Sequence, residues 1–361
     1  MALSGQSNAR SFRGEGSDLL MGVGARAIGM GGAMVAATDD IYSSYWNPAG
    51  LAELNTHQIT VSKQLDSKNT TISFLSIALK NKWLPINGYK TSFALSWLPR
   101  LHIRANGNFK STDFESIFTR YALPGLPEDF NGELESKTRD TRLTFSITPD
   151  TDARWALGIN IGRVNCKTNF CGVFANDPGV YTAVSTDAFS YTIGLGAKYR
   201  YNKNLTLGLN IKDINTNLDV EIIETRPTGT TIETYDVEFP IDFTFGIAYQ
   251  YNPSLLLTVD YQLVNGEYGD DAIDFQILRA GLEKKIGNMN YRAGLLVPIK
   301  LKSESSEDII KDLPVPFFLS AGVGLKTRYG SLDFAIYPNP IASYTKQTLE
   351  ISTELSLTVD F

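Results

Sequence analysis

The chain has 361 residues, 43% of them hydrophobic and 20% charged, with a formal net charge of −6. That balance excludes disorder as the main state, and an acidic chain with no basic cluster excludes nucleic acid as a partner. No run of 18 or more apolar residues occurs, so no transmembrane helix is expected, which leaves open a barrel of short alternating strands.

Residues 1–20, MALSGQSNARSFRGEGSDLL, lack the apolar core of a signal peptide. If the chain is an exported barrel, a signal has been removed upstream. Residues 24–54 read GARAIGMGGAMVAATDDIYSSYWNPAGLAEL. Gly29, Gly31 and Gly32, with Ala33, Ala36 and Ala37, permit close backbone approach. They supply too few large apolar groups for a core, so the segment must pack inside something else. Asp39 and Asp40 read as a solvated or salt-bridged pair. The stretch closes on Asn47-Pro48-Ala49-Gly50, a turn that is stiff at the proline and free at the glycine.

From residue 57 onward the period becomes two. Strand one covers 57–65. Strand two, 71–80, carries Ile72 and Phe74 and then Leu75, Ile77 and Leu79, so a bulge is expected where the face switches. Strand three begins near residue 89 with Thr91, Phe93, Leu95 and Trp97. It meets Pro99 and resumes the same parity at Leu101. A proline removes a ladder bond, so either a local gap or an ordinary bulge is expected there. Residues 110–139 read as a long connection, with a helix possible over 112–121 from Thr112 and Glu115 at capping-box spacing.

Strands four (141–148) and five (154–164) follow. Cys166 and Cys171 lie in the turn-rich connection after strand five. An oxidising export route favours a bridge between them, and two free thiols are the other reading. With no histidine nearby, they are not expected to bind zinc. Strands six to nine cover 189–201, 205–211, 241–251 and 255–262, with a long polar loop to about 236 between seven and eight. Strand ten, 273–286, changes face between Ile277 and Leu278. Strands eleven to fourteen are 289–297, 317–329, 331–338 and 349–361.

The expected fold is all-β: a 14-stranded antiparallel transmembrane β-barrel, residues 56–361, with residues 1–55 folded into its lumen as a hatch. Short connections near 149–152, 202–203, 252–253, 287–288 and 329–330 alternate with long ones, as short periplasmic turns and long outer loops would. Trp155, Tyr199, Tyr201, Tyr249, Tyr251, Tyr291 and Tyr329 all flank the short turns, as an aromatic girdle does. The even strand number puts both termini at the periplasmic end. A lumen this wide is not filled by one layer of side chains, and the N-terminal segment is the mass available to plug it.

The run GARAIGMGGAMVAATDD…YWNPAGLA is similar to the N-terminal signature of the FadL superfamily of outer-membrane barrels, the OMPP1/FadL/TodX-like group. Its wording is nearest the PorV/PorQ-like branch. The resemblance implies a bacterial outer-membrane location and a hatch centred on Asn47, Pro48, Ala49 and Gly50, packed through Gly29, Gly31 and Gly32. It also implies a strand-three kink that opens the wall sideways, here placed at Pro99 by position. The implied activity is passive uptake of hydrophobic small molecules such as long-chain fatty acids. The alternative is a PorV-like partner subunit in type IX protein secretion, binding cargo or a translocon. The expected partners are therefore outer-membrane lipid and either a hydrophobic ligand or a secretion protein. No enzyme, cofactor or metal is expected: there is no G-x-S-x-G or H-E-x-x-H motif, and His57 and His102 read as interface or lumen side chains.

Overall fold

The computed structural model describes residues 11–14, 21–65, 70–80, 86–110, 129–167, 174–177, 179, 181–268, 271–303, 309–340, 343 and 348–361. In chain order the described strands are β1 Ser11–Gly14, β2 Gln58–Leu65, β3 Thr70–Lys80, β4 Tyr89–Lys110, β5 Asp129–Pro149 and β6 Trp155–Cys166. Then come β7 Phe174–Asp177, β8 Tyr181–Ser185, β9 Ala188–Arg200, β10 Leu205–Ile214, β11 Thr216–Arg226, β12 Gly229–Phe239 and β13 Ile241–Asn252. The last are β14 Leu255–Tyr268, β15 Asp271–Ile286, β16 Met289–Ser303, β17 Phe318–Thr327, β18 Gly330–Pro338 and β19 Ile351–Asp360.

Fourteen of these close a ring: β2 to β6, β9, β10 and β13 to β19, each antiparallel to its neighbour. The seam is β19 against β2, from Asp360↔Gln58 to Thr353↔Leu65. Phe361 N–H donates to the His57 carbonyl at 3.0 Å, so the last residue is tied to the first strand. Closure leaves the wall without a free edge, which a membrane barrel requires.

The two faces separate as the alternation predicts. Leu95, Leu143, Leu195, Leu257, Leu319 and Leu357 point outward and are exposed, while Ser92, Arg142, Asn160, Thr258, Asp333 and Ser356 point inward and are buried. Tyr199, Tyr201, Tyr249, Tyr251, Tyr291 and Tyr329 are exposed at the short-turn end. There Arg154 closes the 150–154 turn on Asp152 at 2.9 and 2.8 Å, a hydrogen bond that holds this carboxyl below its usual range.

The long connections hold more strand than the sequence suggests. β5 starts at residue 129 and pairs with β4 as far as Lys110↔Asp129. Its extra residues, DFNGELESKTRD, are mostly polar in sequence. The polar loop after strand seven is the hairpin β11–β12, turning at residues 227–228. β8 joins it to β7, and β7 joins the top of β5. Leu218, Val220 and Ile222 alternate here and are buried, a pattern masked in the sequence by the charges between them. The helix expected over 112–121 lies outside the described residues.

The bulge expected in strand two and the face change expected in strand ten both meet a register irregularity. In β3 the register shifts so that Ser73 is extra, with Phe74 turned inward and Leu75 outward. In strand ten the face does not switch: Ile277 is inward and fully buried, Leu278 lies on the opposite side, and the extra residue is Ile299 on the partner β16. Two apolar neighbours thus serve two different surfaces. The N-terminal residues 1–10 lie outside the described residues. β1 pairs with residues 103–106 of β4, in its outer half, so the described N-terminal end lies toward the long loops while the C-terminus lies at the short turns. The lumen needs a chain that runs from top to bottom, and strand parity says nothing about where that chain begins.

Arginine at position 195 or 257 places a charge on the lipid face and is expected to cost about 2–4 kcal/mol near the bilayer midplane. Arginine at an inward position such as Ser92 avoids that lipid term. Denaturant unfolding in lipid or detergent measures both.

Candidate functional site

Residues 21–54 fill the lumen. All but a few of them are buried. Short helices α1 (Ala25–Gly29) and α2 (Ser43–Trp46) and a 3-10 turn at Pro48–Glu53 are joined by tight turns. Gly31 and Gly32 have φ of 67° and 76°, the left-handed region that reverses the chain after α1. Asn47 starts the 3-10 turn. Its Oδ1 accepts from Ala49 N–H at 3.1 Å, and its Nδ2 donates to the carbonyls of Val35 (2.8 Å) and Ala197 on the wall (3.1 Å). Pro48 then supplies the fixed φ of a first helical position.

What seats this segment is a band of inward glycines in the wall, three of whose pairs face each other across strands: Gly158↔Gly196, Gly208↔Gly246 and Gly281↔Gly294. A Cβ on Gly158 would lie 2.3 Å from the Pro48 carbonyl carbon, one on Gly208 2.5 Å from the Val35 oxygen, and one on Gly294 2.0 Å from the Gly31 nitrogen. Gly322 faces Gly29 at 3.1 Å in the same way. The glycines of the plug are legible in the sequence as a small-residue run, and those of the wall are not. Their signal is a glycine at the polar parity of a regular strand, where close approach of another backbone is the usual cause. Gly194, the lumen-side neighbour of Leu195, is not one of them. Its Cβ would meet Ile211 and Asn160 of the wall.

Wall side chains satisfy the segment's backbone where it is buried. Ser356 accepts from Ala25 N–H (2.8 Å), Asp260 from Val35 N–H (2.8 Å) and Gln58 from Ile41 N–H (2.9 Å). Lys198 donates to the Thr38 carbonyl (2.6 Å) and Asn160 to the Ser44 carbonyl (3.0 Å). Asp39 and Asp40 both pair with Arg26, at 2.6 and 2.8 Å, and Arg26 also meets Glu283 at 3.2 Å.

Two apolar compartments lie on either side of α1. The outer one is formed by inward residues of β14 to β18, Val264, Phe275, Ile277, Leu296, Phe318 and Tyr337, closed by Met21, Ala25 and Ile28 from below. Ile310, Leu313 and Val315 of the loop before β17 pack against it. Nearer the short turns the same strands carry Asp260, Arg279, Arg292 and Asp333 inward, so this lumen is apolar above and charged below. The second compartment joins Val23, Ala27, Met30, Tyr42 and Trp46 to Phe74, Ala78, Ala94 and Leu98 on the inner faces of β3 and β4.

That second compartment abuts an interruption of the wall. The β3–β4 ladder runs from Lys80↔Ser92 to Leu75↔Trp97 and stops. β4 continues through Leu98, Pro99 and Arg100 with its register against β5 shifted by one residue, Arg100 being extra. Pairing on the other edge of β4 resumes at residue 103, with β1. Among the described residues, 98–102 of β4 therefore have no partner on the β3 side.

In solved structures the same architecture recurs. The chain is similar to the toluene transporter TodX of Pseudomonas putida, with a TM-score of 0.59 and 14% identity over 95% of this chain and 99% of that one. It is similar to the toluene transporter TbuX of Ralstonia pickettii, with a TM-score of 0.62 and 13% identity over 95% and 99%. A FadL homologue of Pseudomonas aeruginosa aligns with a TM-score of 0.57 and 12% identity over 97% and 98%.

This chain has the FadL-type barrel fold.

A FadL-type barrel with an apolar outer belt belongs in a bacterial outer membrane. No protein-family model and no curated protein sequence matches the chain. Of the residues singled out in the sequence, Asn47 to Ala49 meet the wall at Gly158, Gly196 and Ala197, Gly50 packs against Thr38 and Ser43 within the plug, and Gly29, Gly31 and Gly32 meet the wall at Gly322, Leu295 and Arg279. Pro99 sits at the interrupted ladder. His57 accepts from Lys80 N–H at 3.1 Å and lies beside Phe361; the His102 side chain lies outside the described residues. So does Cys171, while Cys166 ends β6 and carries no free thiol. We propose the Cys166–Cys171 bridge, with the expected outcome that a membrane-impermeant maleimide labels neither cysteine until a reductant is added.

Replacing Gly294 by Ala forces the wall and the plug apart and is expected to destabilise by about 1–3 kcal/mol, the range for overpacking a core. Gly194→Ala, whose nearest neighbours stand at 3.3 and 3.4 Å, is expected to cost less. Limited proteolysis within residues 21–54, alongside the unfolding midpoint, separates a loosened plug from a destabilised wall.

Proposed function

We propose that this protein is a passive outer-membrane channel for hydrophobic small molecules, in which residues 1–55 act as a hatch and the ligand leaves sideways through the wall. The observation that carries the reading is a pair of buried apolar clusters inside a polar barrel. One holds Phe275, Ile277 and Phe318, the other Phe74 and Leu98 beside the unpaired stretch of β4, and α1 lies between them. A lipophilic molecule that crossed the charged inner half would lose apolar contact and meet groups already engaged, Arg292 with Glu283 and Asp333, Asp260 with Val35 N–H and Arg279 with the Gly31 carbonyl. Leaving between β3 and β4 delivers it to hydrocarbon directly. The similar solved channels are described as transporters of toluene, which supports a hydrophobic ligand here. Long-chain fatty acids and aromatic hydrocarbons both belong to that hydrophobic class.

The test is uptake of radiolabelled toluene and oleate by cells that lack their own FadL-type channels and express this one. Pro99→Val restores a backbone donor at the interrupted ladder. Leu296→Arg places a charge in the outer compartment. Both are expected to lower uptake about tenfold, equivalent to 1.36 kcal/mol on the barrier, with the barrel still folded. Unchanged uptake in both folded variants, or none in the wild type, ends the transport reading. The secretion-partner alternative implied by the YWNPAGLA wording then stands in its place.

A further inference from the structure

Arg100 is the extra residue of β4, directly after Pro99, and it does not point along its own wall. Its guanidinium donates twice to the Asp213 carboxylate, at 2.9 and 2.7 Å. Asp213 is on β10. Three barrel strands, β5, β6 and β9, stand between β4 and β10, a separation of about 19 Å along the wall at the usual strand spacing. The pair is therefore a chord across the lumen. It forms because both strands deform toward it. β4 bulges at Arg100. β10 loses register with β9 between Ile211 and Ile214, and Asp213 itself adopts φ 60°, unusual for a residue with a Cβ.

Both partners are buried, at 3% and 6% side-chain exposure. Asp140 of β5 lies 3.5 Å from Arg100 and 2.6 Å from Arg142. Thr192 donates to Asp213 at 3.3 Å. The neighbours of the pair hold the hatch as well: Arg142 lies 5.5 Å over one side of the Tyr45 ring system and Lys212 4.7 Å from its centroid, while Lys212 is fixed by Asp242 at 2.7 Å. A bidentate, desolvated arginine–carboxylate pair is among the more directional contacts a protein makes, and two irregular strands and a left-handed aspartate are maintained around this one. Strain of that kind persists only where the surroundings enforce it.

We propose that Arg100 and Asp213 form a clamp that draws the 98–102 segment of β4 inward and so keeps it out of register with β3. The gap in the wall is then a held state, not a passive consequence of Pro99. The clamp positions the lateral exit; it does not touch the ligand. This rests on the channel reading for its biological meaning, but its structural content can be tested apart from it.

The variants are Arg100→Met, which keeps most of the stem and loses the charge, Asp213→Asn, and the exchanged pair Arg100→Asp with Asp213→Arg. Hydrogen exchange is followed at residues 98–102 in folded, purified barrels, and uptake of toluene and oleate in cells. In the wild type the β3-facing amides of 98–102 exchange readily. The expected result is that both single variants gain protection there as β4 returns to the wall, that uptake falls about tenfold, and that the exchanged pair moves both readouts back toward wild type. A general loss of stability would lower protection throughout the barrel and would not raise it at one segment. Unchanged exchange at 98–102 in both folded single variants overturns the clamp, whatever happens to uptake. Absence of uptake in the wild type overturns the channel reading alone, and the exchange result still decides the clamp.

Discussion

Everything in this molecule depends on backbone meeting backbone inside the lumen. A fourteen-stranded wall encloses more space than its own inward side chains fill, and water admitted there would make it a leak. The plug solves this without a core of its own. Its main chain lies against glycines of the wall, and wall polar groups then reach the buried amides and carbonyls. Neither half works alone: a bulky wall would exclude the plug, and a bulky plug would not enter the barrel.

That contact sets what remains for function. Polar wall groups of the lower lumen are spent on the plug's backbone and on ion pairs such as Arg26 with Asp39, Asp40 and Glu283. The apolar residues are left at two places, above α1 on β14 to β18 and beside it on β3 and β4. α1 is only Ala25–Gly29, five residues, and it contributes Ala25 and Ile28 to one cluster and Ala27 to the other. A short helix with two apolar faces separates two compartments while adding little to hold itself in place.

The interrupted β3–β4 ladder breaks the rule that a membrane wall satisfies its own backbone. Such a break is costly, and the surrounding geometry accounts for how it is maintained. Pro99 has one amide donor fewer, Ser73 and Arg100 each add a residue to one strand, and a charge pair spans the lumen from the second bulge. A single proline would have been accommodated by a bulge alone.

Much of the architecture was legible in the sequence. Alternation placed the fourteen barrel strands, the girdle tyrosines marked the short-turn end, and the small-residue run before residue 55 announced a segment without a core. These are local properties: a strand's faces follow from its own period. The small residues said that something would approach closely, but not what, and the matching glycines on seven strands are scattered between Gly158 and Gly322. The inward apolar residue Ile277 looked like part of a face change, because an apolar side chain does not declare whether it faces lipid or a buried cluster. The strands β11 and β12 were hidden by charge, which in water is no obstacle to pairing, while β7 and β8 are short and fall in the turn-rich connection after Cys166. The Arg100–Asp213 chord was invisible altogether, since it links residues 113 apart through the curvature of a closed wall. Period and composition fix which way each side chain points; only closure of the barrel decides what it meets there.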